Sequence, residues 1–232
     1  MQVPWKVECL SQYLDMVKSG NKPDFLNRCL ICGAKNCAKF NGYYTRSVLD
    51  PLNNIFIKDF PVLQYLCHRK GSNPVSVHIT FSLLPWMLIP YHRLPLLFII
   101  YAIKLKIQNK ISYFNLVTEL DLNFNKFHEL FDFPDFINVN TLFFCKTIIA
   151  NAVNRFIESG ISYIDNSLYQ DITANNGDQS LLSFINLLLN YECEYNDQII
   201  SGPVAFAWIF YKNSGGTQKN APFLFGTASQ HR

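Results

Sequence analysis

The sequence predicts an α+β fold, in which a small N-terminal β unit is followed by a mainly α-helical domain. Three observations carry that expectation. Short β-type runs over residues 41–48, 54–58 and 62–67 are separated by turn signals at Asp50-Pro51, Pro61 and Gly71-Ser72-Asn73-Pro74. From Leu96 onward apolar residues recur at helical spacing instead. Hydrophobic residues make up 49% of the 232 and charged residues 16%, enough core material to exclude a broadly disordered chain.

The elements follow in order. Residues 1–26 form a leading segment with Leu10, Tyr13, Leu14 and Val17 on one helical face and Gly20 as a stop. Residues 27–93 hold the β runs. Residues 94–232 form the helical domain, starting with a helix over 96–108 whose C-terminal Lys104, Lys106 and Lys110 suit the macrodipole. Ser112 caps a second helix running to Leu120, and residues 123–131 form a third. The longest helix spans 141–159 and presents Leu142, Cys145, Ile148, Ile149, Ala152 and Phe156 on one broad face, with Gly160 behind it. After a loop around Asn175-Asn176-Gly177, residues 180–191 give one more helix.

The stretch from Phe81 to Leu105 is apolar but broken by Pro85, Pro90, His92, Arg93 and Pro95. A spanning helix needs about 20 unbroken apolar residues, so a buried helix after a Pro-punctuated loop is expected, with no membrane partner. Trp5, Lys6, Glu8, Asp15 and Lys18 leave no apolar core for a secretory signal before Gly20. Seven cysteines without an export signal point to thiols or metal ligands in a reducing, cytoplasmic setting.

The cysteine pattern is the sharpest chemical signal. Cys29-Leu30-Ile31-Cys32-Gly33 reads as a knuckle, a tight turn that offers two thiolates to one ion while its N–H groups donate to sulfur. Gly33 supplies the backbone angle such a turn needs. A zinc ribbon adds a second Cys pair from another hairpin. Cys67 is well placed for this, but Lys70 stands where its companion is expected. Cys37 then completes a set of Cys29, Cys32, Cys37 and Cys67, with His68 and His78 as competing fourth ligands, since structural Zn2+ accepts either side chain. A redox Cys-x-x-Cys needs a strand before it and a helix opening at the first cysteine, and Asn27-Arg28 and Gly33 fit a knuckle better. Cys9, Cys145 and Cys193 lie in apolar surroundings and are expected to be small core residues.

Charge divides along the chain. Residues 1–110 contain 14 Lys+Arg against 5 Asp+Glu, and residues 111–232 contain 6 against 12. A basic half suits a polyanion such as DNA, whereas the simpler account is that the two halves attract each other. Arg46, Arg69, Lys70, His92 and Arg93, with Lys58, supply a basic surface interleaved with Tyr43, Tyr44, Tyr65 and Tyr91. Cations neutralise phosphates, and tyrosines donate to them or stack on bases.

Several segments together resemble a poorly characterised bacterial zinc-ribbon family associated with transposases. They are Cys29-x-x-Cys32-Gly33-x-x-x-Cys37-Ala38 with Gly42-Tyr43-Tyr44-x-Arg46, then Tyr65-Leu66-Cys67-His68-Arg69-Lys70-Gly71, then Thr80-Phe81-Ser82-Leu83-Leu84-Pro85 with Ile89-Pro90-Tyr91-His92-Arg93. The closing Phe223-Leu224-Phe225-Gly226-Thr227-x-Ser229-Gln230 looks similar too. In related proteins a ribbon precedes a helix-turn-helix, so the resemblance implies DNA binding through that pair. Lys70 departs from the usual fourth cysteine. The helices over 96–108, 112–120 and 123–131 have the short connections of a helix-turn-helix. The third offers Asn123, Asn125, Lys126 and His128 to a groove but also Glu129, with Asp132 beyond, so a purely structural role stays open.

Nothing in the pattern points to catalysis. Asp121, Asp135, Glu158, Asp165 and Asp171 lack the spacing of a metal-binding carboxylate set, and no phosphate loop or nucleophile motif occurs. The expectation is a non-catalytic DNA-binding protein, an accessory or regulator of a mobile element. The alternatives are a protein-interaction module that uses the acidic helical half, and a decayed transposase fragment.

Overall fold

The protein is described from a computed structural model over residues 2–5, 7–69, 77–89, 92–124, 137–158, 166–174, 177–195 and 198–203. Its described residues form a four-stranded sheet, a small two-stranded ribbon and six α-helices, the mixed α+β class that the sequence predicts.

Strand β1 (Gln2–Trp5) leads into helix α1 (Leu10–Lys18). The chain then reaches β2 (Ala38–Asp50), β3 (Ile55–Arg69) and β4 (Val77–Pro85). Sheet order is β1-β4-β3-β2, with β1 parallel to β4 and the remaining pairs antiparallel. The Asp50-Pro51 signal is realised as a single 3-10 turn over Pro51–Asn53, closed by Asn54 in the left-handed region at φ 52°. Pro61 does not end a strand. It lies inside β3, where β2 pairs with it through Thr45 and before β4 joins at Leu63. A residue without an N–H is tolerated where one side of the strand is unpaired. Two of the expected runs therefore merge into one long strand. β2 carries irregularities between Phe40 and Tyr43 and between Arg46 and Val48, the first holding Gly42 at φ 98°.

Helix α1 packs its buried Leu10 and Tyr13 against the sheet, and Gly20 at φ 74° follows its end as expected. Beyond the sheet come α2 (Leu96–Asn109), α3 (Tyr113–Asn123) and α4 (Val139–Glu158). Ser112 caps α3 by accepting from the Asn115 N–H at 3.1 Å, and Asn138 accepts from the Thr141 N–H at 3.0 Å at the start of α4. The six residues expected on the inner face of α4 are all buried. α5 (Asn166–Ala174) and α6 (Asp178–Asn190) complete the bundle, and the ribbon β5 (Glu192–Tyr195) and β6 (Gln198–Ser201) follows. α5 has little apolar pattern of its own. It is held by Ile172 in the core and by the Ser180 hydroxyl, which donates to the Ile172 carbonyl at 2.9 Å. The expected helix over 123–131 falls mostly outside the described residues.

The buried apolar residues sort into two clusters. One joins α1, one face of the sheet and Cys29, Cys37 and Cys67. The other joins the helices α2 to α6 and reaches back to Leu49 and Ile89. Among the described residues no helix is long and apolar enough to cross a membrane.

Candidate metal centre

Local backbone chemistry builds the knuckle. The Cys29 N–H donates to the Ala34 carbonyl at 2.9 Å, and the Gly33 N–H donates back to the Cys29 carbonyl at 2.9 Å. Gly33 sits at φ 74°, the left-handed region that favours a residue without Cβ. The Ile31 N–H points at Cys29 Sγ, 3.4 Å away, the N–H to sulfur bond expected of a metal-binding knuckle. Asn36 also takes a left-handed angle, φ 53°, and its N–H donates to the Leu26 carbonyl at 2.7 Å, which turns the chain into β2.

Cys37 is the residue before β2, and Ala38 pairs with Cys67 of β3. The His68 N–H donates to the Cys37 carbonyl at 3.1 Å and locks the two together. Sulfur separations follow: Cys32 to Cys37 is 3.4 Å, Cys37 to Cys67 is 3.5 Å and Cys67 to Cys32 is 3.6 Å. All four Sγ atoms, Cys29 included, lie within 4.8 Å of one another. Bonds of about 2.3 Å to a central ion give a tetrahedron with edges of about 3.8 Å, close to these separations. A disulfide would require about 2.05 Å, and all four are free. Among the described residues this is the one cluster of such ligands that could hold a metal ion.

Of the histidine alternatives, His68 separates from the site. His68 follows Cys67 on β3, so strand alternation turns it to the opposite face. The side chain of His78 lies outside the described residues.

Electrostatics within the cluster is asymmetric. Burial pushes the Cys37 and Cys67 thiols up, and Cys32 and Cys29 add to the rise at both, although Cys67 itself acts downward on Cys37. Burial also acts upward on Cys32, but the Ala34 N–H and the neighbouring thiols outweigh it, so Cys32 falls below its ordinary value. A pocket this small does not hold four thiolates without a cation to balance them.

Sequence reasoning missed the anchor that delivers the knuckle. Phe25 is buried and packs edge-on against Tyr65 at 4.9 Å, Phe81 at 5.9 Å and Trp5 at 5.9 Å. The Tyr65 hydroxyl donates to the Pro23 carbonyl at 2.7 Å, so the segment before Cys29 is pinned to the sheet at two points. A lone Phe in a polar stretch carries no periodic signal. Of the cysteines outside the cluster, Cys145 is buried in the helical core as expected. Cys9 is not a core residue: it is exposed at the N-cap of α1, its Sγ 2.9 Å from Ser11 Oγ, because the buried face of α1 begins one residue later at Leu10. The side chain of Cys193 lies outside the described residues.

Three of the five basic residues singled out in the sequence share one concavity of about 460 Å³, lined by Arg46, His92 and Arg93 together with neutral polar groups. Arg46 donates through Nη1 to the Ile89 carbonyl at 3.2 Å. His92 stacks on Phe144 of α4, with ring centres 4.7 Å apart. Burial, with the Arg46 charge behind it, brings His92 down to about 4, so it is neutral at pH 7. Lys70 and the side chain of Arg69 lie outside the described residues.

No family model, curated protein or solved structure matches this chain.

Proposed function

We propose that the chain is a non-catalytic, zinc-stabilised DNA-binding protein of the zinc-ribbon kind, acting in the cytoplasm as an accessory or regulator of a mobile element. The observation that carries the metal half is the four-thiol cluster, with three sulfur separations of 3.4–3.6 Å. A closed, all-sulfur, tetrahedral set suits Zn2+, and with no position left open the ion is structural. Its binding energy goes into holding residues 24–37 on the sheet, because that segment buries few apolar side chains besides Phe25.

The DNA half is supported by the cleft that gathers Arg46, His92 and Arg93, with no carboxylate among its described lining residues. Two guanidinium groups in a shared concavity favour a phosphate ligand. The link to mobile elements comes from the resemblance of residues 29–93. A second reading, docking of a protein through the helical half, is favoured by Phe114, Leu122 and Phe143, exposed on α3 and α4 by 73%, 72% and 60%.

Elemental analysis of purified protein should return one zinc per chain. A titration of duplex DNA on the same sample should show affinity falling with salt, at about 0.9 log units per log unit of salt for each phosphate neutralised. Metal-loaded protein that binds no duplex at low salt refutes the DNA reading, and an iron content in place of zinc refutes the metal assignment.

A further inference from the structure

The polar face of the sheet lies opposite the face that packs against α1. Register sets a row across three strands: Gln2 of β1 stands opposite Ser82 of β4, and Ser82 opposite Gln64 of β3. Their neighbours Val3, Leu83 and Leu63 are buried in the cluster with α1. The polar row lines the concavity, to which β2 adds Arg46 and the segment before α2 adds His92 and Arg93. Its volume, about 460 Å³, is in the range of sites for one small organic molecule and exceeds what a lone anion needs.

Charge narrows the occupant further. The lining contains no carboxylate, and Arg46 has no acidic partner among the described residues. One of its five N–H donors is engaged at the Ile89 carbonyl. A partly buried guanidinium without a counter-ion favours an anion, and two arginines beside hydroxyl donors suit the several oxygens of a phosphate better than the two of a carboxylate. Gln2 donates through Nε2 to the Tyr44 hydroxyl at 2.8 Å, which fixes its amide beside the row.

We infer that this cleft binds one phosphorylated organic unit, its phosphate at Arg46 and Arg93. The inference rests on the nucleic-acid reading for the source of that unit and on the cleft alone for its chemistry. A free mononucleotide and the 5′-phosphorylated end of a DNA strand share this chemistry.

The test uses the full-length, metal-loaded chain, titrated with AMP, adenosine, inorganic phosphate, and a short DNA single strand with or without a 5′-phosphate. AMP or the phosphorylated strand should bind at least about 10-fold tighter than its unphosphorylated counterpart. Arg93→Gln, at an exposed position, should weaken that binding about 10- to 100-fold without moving the unfolding temperature, and Arg46→Gln should weaken it similarly. Preference for AMP over the phosphorylated strand assigns the free nucleotide as source, and the reverse assigns the DNA end. Adenosine binding as tightly as AMP overturns the inference, as does AMP binding that neither arginine variant changes. Duplex lacking terminal phosphates separates the two readings. If it fails to bind while AMP binds, the DNA reading falls and the cleft stands. If it binds while AMP and the phosphorylated strand do not, the cleft inference falls alone.

Discussion

Replacing Tyr13 by Phe tests how the sheet that bears both sites is held together. Tyr13 is completely buried, its ring stacked on Phe60 with centres 5.3 Å apart, and Phe preserves that packing. The hydroxyl is what changes. It accepts from the Leu63 N–H at 2.9 Å and donates to the Leu83 carbonyl at 3.1 Å. Leu63 and Leu83 are register partners, so the hydroxyl bridges β3 and β4 at the end of their ladder. Its loss orphans two buried backbone groups, each costing about 1–3 kcal/mol, and partial closure of the strands recovers some of this. The expected destabilisation is about 2–4 kcal/mol. Urea unfolding of metal-loaded protein should show the midpoint falling by about 1–2 M at unchanged slope. Burial also raises the Tyr13 phenol well above 10, so the wild-type fold loses stability as pH rises past the ordinary phenol value, and Tyr13→Phe lacks this one contribution to the loss. The gap between the two proteins should therefore narrow above about pH 10. A change below about 0.5 kcal/mol would refute the bridging role, because the strands would then pair equally well without it.

The metal centre yields three more expectations. Cys29→Ser or Cys67→Ser should lower zinc content, whereas Cys145→Ser in the helical core should leave it intact; equal loss from all three in elemental analysis would sink the ligand set. Phe25→Ala removes no ligand yet should destabilise the sheet half by about 3–5 kcal/mol and raise the zinc dissociation constant, read by competition with a chelator. Acidification should release the metal. Burial raises the Cys37 and Cys67 thiols in the metal-free fold, so each gives up a proton when the ion binds; affinity thus climbs with pH and weakens as pH falls. Metal competition repeated between about pH 6 and 8 checks the sign, and a flat profile would contradict ligation by thiolates.

Much of the helical half was legible because its signals are local. The apolar spacing of residues 142–156 and the hydroxyl of Ser112 act within one helix, and the structure places α4 and the α3 cap where they indicate. The knuckle was legible for the same reason: Cys29, Cys32, Gly33 and Cys37 are separated by so few residues that a single turn brings them together. Strand β1 and helix α5 were not. A four-residue strand shows no alternation long enough to read, and its partner lies about 80 residues away in β4. The Pro61 signal misled because a proline inside a strand is excluded only where a neighbouring strand needs its N–H, and β4 does not join β3 until Leu63.

The sequence alone thus determined the composition of the ligand set up to its last member, since thiolate chemistry and short loop closure act along the chain. Tertiary structure brings Cys37 into the thiol cluster and turns one of the competing histidines away. Cys67 and His68 are adjacent on β3 and point to opposite faces, so the register that pairs Ala38 with Cys67 draws sulfur, and not the His68 imidazole, into the cluster. Pairing of β4 with β1 and β3 assembles the cleft. Gln2, Gln64 and Ser82 are remote in sequence and unremarkable singly, and only strand register places them in one row beneath Arg46.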